Sequence, residues 1–169
     1  MKSCLLFFLS ACMFFSCVKE EENGSGFELK KGDSLPDFTI SNSKESVSTS
    51  DLQNKISLII FFSTTCGDCR QALPDIQELY DTYRENPSVR ILLIARGQTE
   101  AEVQESFGKA GYTMEFFADP EQKIYSLFAG SIIPRLFLAG KDGKINLTQT
   151  EYVNREEVVN AIGQLSTAG

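Results

Sequence analysis

The segment Ile56-Ser57-Leu58-Ile59-Ile60-Phe61-Phe62-Ser63-Thr64-Thr65-Cys66-Gly67-Asp68-Cys69 decides the fold. Its first seven residues are dense in β-branched and aromatic side chains, and the run is too short for a buried globular helix of usual length. It reads as a central strand covered on both faces. Ser63, Thr64 and Thr65 end the strand, and the two cysteines follow at once. From Arg70 onward Leu73, Ile76, Leu79, Tyr80 and Tyr83 recur at helical spacing, so a helix begins at the cysteine pair. The first turn of a helix offers unpaired N–H groups and the positive end of its dipole. A thiolate placed there is stabilised, and a cysteine so placed becomes a nucleophile near neutral pH. Thiol–disulfide chemistry is the expectation for this junction.

Outward from the junction, the pattern alternates strands and helices. Asp33 to Ile40 enters an edge strand, and Ser46-Val47-Ser48 is its hairpin partner. Leu52 to Lys55 turns into the central strand. Pro74 falls inside the first helix, where it should kink the axis. Val89 to Ala95 is a second buried strand, and a helix runs from Thr99 to about Lys109 with Val103 and Phe107 inward. Glu115 to Ala118 is a short strand. Asp119-Pro120 predicts another helix, with an N-cap and a proline in its first turn. Arg135 to Ala139 is a third core strand, turning through Lys141-Asp142-Gly143-Lys144 into Ile145 to Thr150. Asn154 with Glu157 predicts an N-cap and its capping glutamate, opening a last helix through Val158, Ile162 and Leu165. The order is that of an α/β fold, a mixed central sheet flanked by helices on both faces.

Composition narrows the chemistry. The chain has 169 residues, 42% of them hydrophobic, enough for one domain with short appendages. Its net charge of −7 argues against nucleic acid as a partner. With no histidine in the chain, Ser-His and Cys-His catalysis are removed, and zinc nearly so.

The N-terminus sorts the cysteines. Met1-Lys2 followed by the apolar run Leu5 to Phe15 has the length of a secretory signal and is too short to span a bilayer. Phe14-Phe15-Ser16-Cys17 resembles a bacterial lipobox, which implies lipidation of Cys17. Leu9-Ser10-Ala11-Cys12 fits the lipobox letters better but leaves too short an apolar core. The domain reading is therefore a signal peptide over 1–16, a lipidated tether over 17–34 and a domain over 35–169. Lys19-Glu20-Glu21-Glu22 resembles the export signal of some bacterial surface lipoproteins, and equally suits a plain solvated linker. Of five cysteines, Cys4 and Cys12 leave with the signal and Cys17 carries lipid. Cys66 and Cys69 remain. A bridge between them closes too small a loop to add much stability, so redox use outweighs a structural pair.

The strand into Cys66-Gly67-Asp68-Cys69, Pro74 five residues on, and Ile133-Pro134 before a strand and hairpin together resemble the thioredoxin-like superfamily. Within it the chain is most similar to the TlpA/ResA-like branch of envelope-anchored thiol–disulfide oxidoreductases. The resemblance covers about Leu35 to Leu165, with an N-terminal hairpin and a helix–strand insertion between Thr99 and Ala118. It implies that Cys66 attacks a substrate disulfide and Cys69 resolves the mixed disulfide. It also implies a cis bond before Pro134, with Ile133, Thr65, Gly67 and Asp68 forming the surface that meets the substrate. The sulfur atoms carry the chemistry without cofactor or metal. The implied partners are envelope proteins with thiols or disulfides and an upstream electron donor, reached from a lipid anchor, the outer membrane being the expected location.

Three positions depart from the family pattern. Thr65 stands where a tryptophan is usual, and Ile60 where many relatives bury a polar or acidic residue. Gln98 aligns with a glutamate of some relatives. Asp68 is a candidate substitute for managing the proton of Cys69, with Arg70 offsetting its charge. Two other functions fit the fold. A non-catalytic binding lipoprotein would use Phe116, Phe117 and Phe128 as a site, although their spacing suits a core. A peroxiredoxin-type peroxidase would want threonine where Ser63 stands.

Overall fold

The computed structural model describes residues 27–167. The signal segment and Cys17 lie outside the described residues. The central strand is β3 (Ile56–Phe62), and all seven of its residues are buried. Ahead of it come β1 (Thr39–Ser41) and β2 (Ser46–Ser48), paired with each other as a separate hairpin. After it come helix α1 (Gly67–Tyr83), strand β4 (Val89–Arg96), helix α2 (Glu100–Ala110) and strand β5 (Phe117–Asp119). Strands β6 (Arg135–Ala139) and β7 (Ile145–Thr150) and helix α3 (Arg155–Thr167) complete the order. The main sheet runs β5-β4-β3-β6-β7. Strand β4 is parallel to β3, and β6 is antiparallel to it on the other side.

The period of two along β3 sends alternate side chains to opposite cores. Leu58, Ile60 and Phe62 pack with Leu73 and Ile76 of α1, Val103 and Phe107 of α2, and Val158 and Ile162 of α3. Ile59 and Phe61 face the other way, onto Phe38, Ile40, Val47, Tyr125, Phe128 and Phe137. All three α-helices therefore lie on one side, not on both faces as the sequence order suggests. The β3–α1–β4 and β4–α2–β5 crossovers step the same way across the sheet, and α3 packs beside α1. The other side is covered by the β1–β2 hairpin and by short 3-10 turns at Thr49–Leu52 and Tyr125–Leu127.

The helix expected from Asp119-Pro120 is not there. Gln122 takes a left-handed φ of +57°, which ends helical propagation. The Asp119 carboxylate instead accepts the backbone N–H of Tyr125 at 2.8 Å. Burial of Tyr125 and Phe128 in the second core outweighs the local N-cap and proline signal. Strand β5 is also displaced toward Asp119, because its register is set by Ile94 opposite Phe117 rather than by its own apolar pattern.

At α3 the Asn154 side chain accepts the Glu157 N–H at 3.1 Å, as expected. Glu157 does not return the bond. Buried Gln149 takes both positions, accepting from the Asn154 N–H at 2.9 Å and donating to the Glu157 carboxylate at 2.8 Å. The chain is already fastened to the domain ahead of residue 35. Gly130 N–H donates to the Phe27 carbonyl at 3.0 Å, Leu29 N–H to Phe128 at 2.9 Å and Gly32 N–H to Ile145 at 2.8 Å.

Phe61 has no exposed surface and packs on the rings of Tyr125, Phe128 and Phe137. Phe61→Ala is expected to lower stability by about 3–5 kcal/mol, read as a shift in the urea unfolding midpoint.

Candidate active site

Strand β3 delivers the chain to Ser63-Thr64-Thr65, and Cys66 is the N-cap of α1, in an extended conformation with φ −81° and ψ 132°. Its sulfur accepts the Cys69 N–H at 3.4 Å, the bond a serine or aspartate would make at this position. One turn in, the Cys69 sulfur accepts the N–H of Ser63 at 3.4 Å. Both cysteines are free thiols. They differ in access: Cys66 is half-buried, whereas Cys69 is fully enclosed among apolar residues of the α1 core.

That difference sets the acidity of the inner sulfur. Burial pushes the Cys69 thiol up from 9.0 to about 12, helped by the hydrogen bond with Cys66 and by the charges of Cys66 and Asp68. The Ser63 amide pulls in the opposite direction. Asp68 itself points into solvent, at the edge of a shallow pocket with Gln71, Asp75 and Tyr152. Arg70 does not pair with it; a guanidinium N–H is directed to the Thr65 carbonyl at 3.4 Å.

The loop before the cysteines is braced from β4. Gly97 turns the chain with a φ of +70°, a conformation that favours glycine. The turn buries the Gln98 amide against the loop. Gln98 accepts from the Thr64 N–H at 2.7 Å and the Ser63 hydroxyl at 3.0 Å, and donates to the Thr64 hydroxyl at 2.8 Å. A neutral amide can make this three-way contact because it offers both acceptor and donor. Ile60 is fully buried in the apolar core.

The antiparallel pairing of β6 with β3 brings the Ile133–Pro134 peptide to the same end of the sheet, and this bond is cis. The Cys66 thiol reaches the Ile133 carbonyl at 3.5 Å. The Pro134 carbonyl accepts the Glu151 N–H at 2.9 Å. Of the residues singled out in the sequence, Cys66, Cys69, Ile133 and Pro134 are thus assembled together, with Thr65, Gly67 and Asp68 exposed around them. A Cβ added at Gly67 would meet nothing within 4 Å, so this side is open to an approaching chain. Phe116, Phe117 and Phe128 are buried core residues; of the three, Phe116 also reaches the lining of a surface pocket beside Asn42 and Glu100, away from the cysteines.

Two functional supports were not legible from local pattern. Gln98 stands 34 residues from Thr64. Tyr125 holds the segment that leads into Ile133, its hydroxyl donating to the Ile132 carbonyl. Among the described residues no group of three or more His, Cys, Asp or Glu is arranged to hold a metal ion. No described helix is long and apolar enough to cross a membrane.

Comparison with known proteins agrees with this architecture. The Redoxin family matches residues 30–165. The thiol–disulfide oxidoreductase ResA of Bacillus thuringiensis is 27% identical over 119 residues, spanning 70% of this chain and 68% of the relative. ResA of Oceanobacillus iheyensis is 26% identical over 149 residues, 85% of this chain and 77% of its own. A Bacteroides thetaiotaomicron protein solved in solution, provisionally described as a protein disulfide isomerase, superposes with a TM-score of 0.74 at 25% identity, covering 83% of this chain and 91% of that one. With the match running from the docked N-terminal segment into α3, the chain belongs to the redoxin family, as a thioredoxin-fold thiol–disulfide oxidoreductase of the TlpA/ResA-like group.

Proposed function

We propose that the protein is a lipid-tethered reductant of disulfides in other envelope proteins, working through Cys66 and Cys69. One observation carries this reading: a half-exposed sulfur at a helix N-cap lies within reach of the Ile133 carbonyl, with a fully buried second thiol behind it.

The chemistry follows from that asymmetry. Cys66, as thiolate, attacks one sulfur of the substrate disulfide; the S–S bond breaks and the other substrate sulfur leaves as a thiolate that takes up a proton. Cys69 then gives up its proton and attacks the Cys66 sulfur, releasing the second substrate thiol. Cys66 and Cys69 end as a disulfide and the substrate has gained two electrons. The timing is built into the acidity of Cys69. Burial does most to hold the proton on, and the hydrogen bond to Cys66 and the charge of Cys66 add to it. Conversion of Cys66 to a mixed disulfide removes the charge and weakens the bond, which eases proton loss from Cys69 at the step where it attacks. The Ser63 N–H remains to stabilise its thiolate. Ile133 and Pro134, with Thr65, Gly67 and Asp68, form the surface along which an extended substrate segment lies.

The anchor rests on the Leu5 to Phe15 run and Cys17, with Val18 to Gly26 as the linker. This makes the envelope the compartment, with an upstream protein donor to return the Cys66–Cys69 disulfide to thiols. Cys17→Ser is expected to move the protein from the membrane to the soluble fraction on cell fractionation.

Wild-type domain should reduce insulin with dithiothreitol as electron source, Cys66→Ser should lose that activity, and Cys69→Ser should accumulate a mixed disulfide visible on a non-reducing gel. Insulin reduction that survives Cys66→Ser would end the reading. The reductive direction predicts a reduction potential nearer the thioredoxin value of about −270 mV than the DsbA value of about −120 mV.

Iodoacetamide at pH 7 should label Cys66 in the native dithiol and spare Cys69 until the protein is unfolded. Because the folded state raises the Cys69 pKa from 9.0 to about 12, it holds that proton more tightly than the unfolded chain. The stabilisation is therefore complete below pH 9 and is lost as the pH rises toward 12. The oxidised form, with no thiol to titrate, should lack this component of alkaline destabilisation in urea unfolding.

A further inference from the structure

Ile132 is unusual in both backbone and side chain. Its φ of +64° lies in the left-handed region, which a β-branched residue occupies only when its surroundings hold it there. Its side chain is large and apolar yet 46% exposed. Strained, exposed apolar residues of this kind concentrate where a surface meets a ligand.

The restraint is Tyr125. Its hydroxyl donates to the Ile132 carbonyl at 2.8 Å and also contacts the Ser131 carbonyl. The tyrosine is itself fixed from three directions. Its N–H is held by the Asp119 carboxylate at 2.8 Å, its ring meets Phe61 edge-on at 5.2 Å, and the Arg96 guanidinium lies 4.5 Å over the ring centre. The next residue, Ile133, carries the carbonyl that the Cys66 thiol reaches. A buried side chain thus sets the backbone one residue away from the reacting sulfur.

The immediate neighbours of Cys66 offer little apolar contact. Thr65, Gly67, Asp68 and Arg70 are exposed and are polar, charged or lack a side chain. Tyr152 adds an exposed ring on the Asp68 side, and Ile132, one residue before Ile133, adds an exposed apolar side chain on the Pro134 side. Ile132 shares a cleft of about 250 Å³ with Phe27, another exposed apolar side chain, and with Glu28, buried Arg135 and Thr150. Arg135 is paired with Glu28 at 2.9 Å, so the charge it brings to the cleft is balanced and Phe27 and Ile132 remain as its large apolar lining.

We propose that Ile132 is a specificity-determining contact for an apolar residue flanking the disulfide cysteine of the substrate protein, and that Tyr125 is its positioning residue. This rests on the reading of Cys66 as the attacking sulfur. The redox step is unchanged: two electrons pass from the Cys66–Cys69 dithiol to the substrate disulfide, and Ile132 alters only which disulfides are held in reach.

The test compares Ile132→Gly, Ile132→Leu and Tyr125→Phe with wild type. The readouts are KM and kcat for dithiothreitol-driven insulin reduction, and the single-turnover rate of the prereduced protein with hydroxyethyl disulfide, which has no flanking side chains. Glycine accepts the left-handed φ without strain, so Ile132→Gly should melt no lower than wild type. It should raise KM for insulin about tenfold with kcat within about twofold, and lower the ratio of insulin to small-disulfide reactivity by a similar factor. Ile132→Leu should restore KM, and Tyr125→Phe should shift it in the same direction as glycine. An unchanged KM in Ile132→Gly, or a parallel fall with both disulfides, would overturn the assignment of Ile132. An unchanged KM in Tyr125→Phe would overturn that of Tyr125. A wild-type protein that reduces neither disulfide would sink the oxidoreductase role of the cysteine pair, and this inference with it.

Discussion

The pairing of β3 on both of its edges, with both of its faces buried, is the constraint on which the rest depends. Ile56 to Phe62 is apolar enough to have no solvent-facing side, so it can only be central. A parallel neighbour on one edge and an antiparallel one on the other then fix what gathers at its end. The C-terminus of β3 and the N-terminus of β6 meet there, with Phe61 opposite Arg135. The residues that leave β3 run into Cys66, and those that enter β6 come from Ile133 and Pro134. Their contact is a consequence of sheet direction.

The same packing makes two chemically identical side chains different. Cys66 sits at the mouth of α1, half open to solvent. Cys69, one turn further, faces the helix-side core with Leu73 and Phe62 and is kept protonated by that burial. A single helical turn thus converts a sequence spacing into an outer and an inner sulfur. The proposed order of attack follows from this asymmetry without a histidine or a nearby buried acid, and Ile60 on β3 leaves that side of the site apolar.

Much of this was legible in the chain. Continuous apolar runs gave β3, β4 and β6, because strands buried on both faces admit little else. Thr99 and Gly111 bound α2 through strictly local bonds, Thr99 with Glu102 and Gly111 in its left-handed cap, and so the expected helix falls in place. Local signals failed where distant burial competed with them. Asp119-Pro120 has the letters of a helix start, but the aspartate serves Tyr125 and the segment folds to put Tyr125 and Phe128 in the core. Glu157 has the letters of a capping partner, but Gln149 across the turn from β7 takes its place. The tether was read as running to residue 34, yet the chain is docked from Phe27 by bonds to residues about a hundred positions later.

The sequence by itself determined the buried strand, the helix that follows it, and the two cysteines at their junction, since each depends on residues within a few positions of one another. Only the tertiary structure decided that Gln98 braces the loop before Cys66 and that Tyr125 holds Ile132 and so the approach to Ile133. Those contacts join segments set side by side by sheet pairing and core burial, and hydrogen-bond reach between distant residues leaves no periodicity in the chain to read.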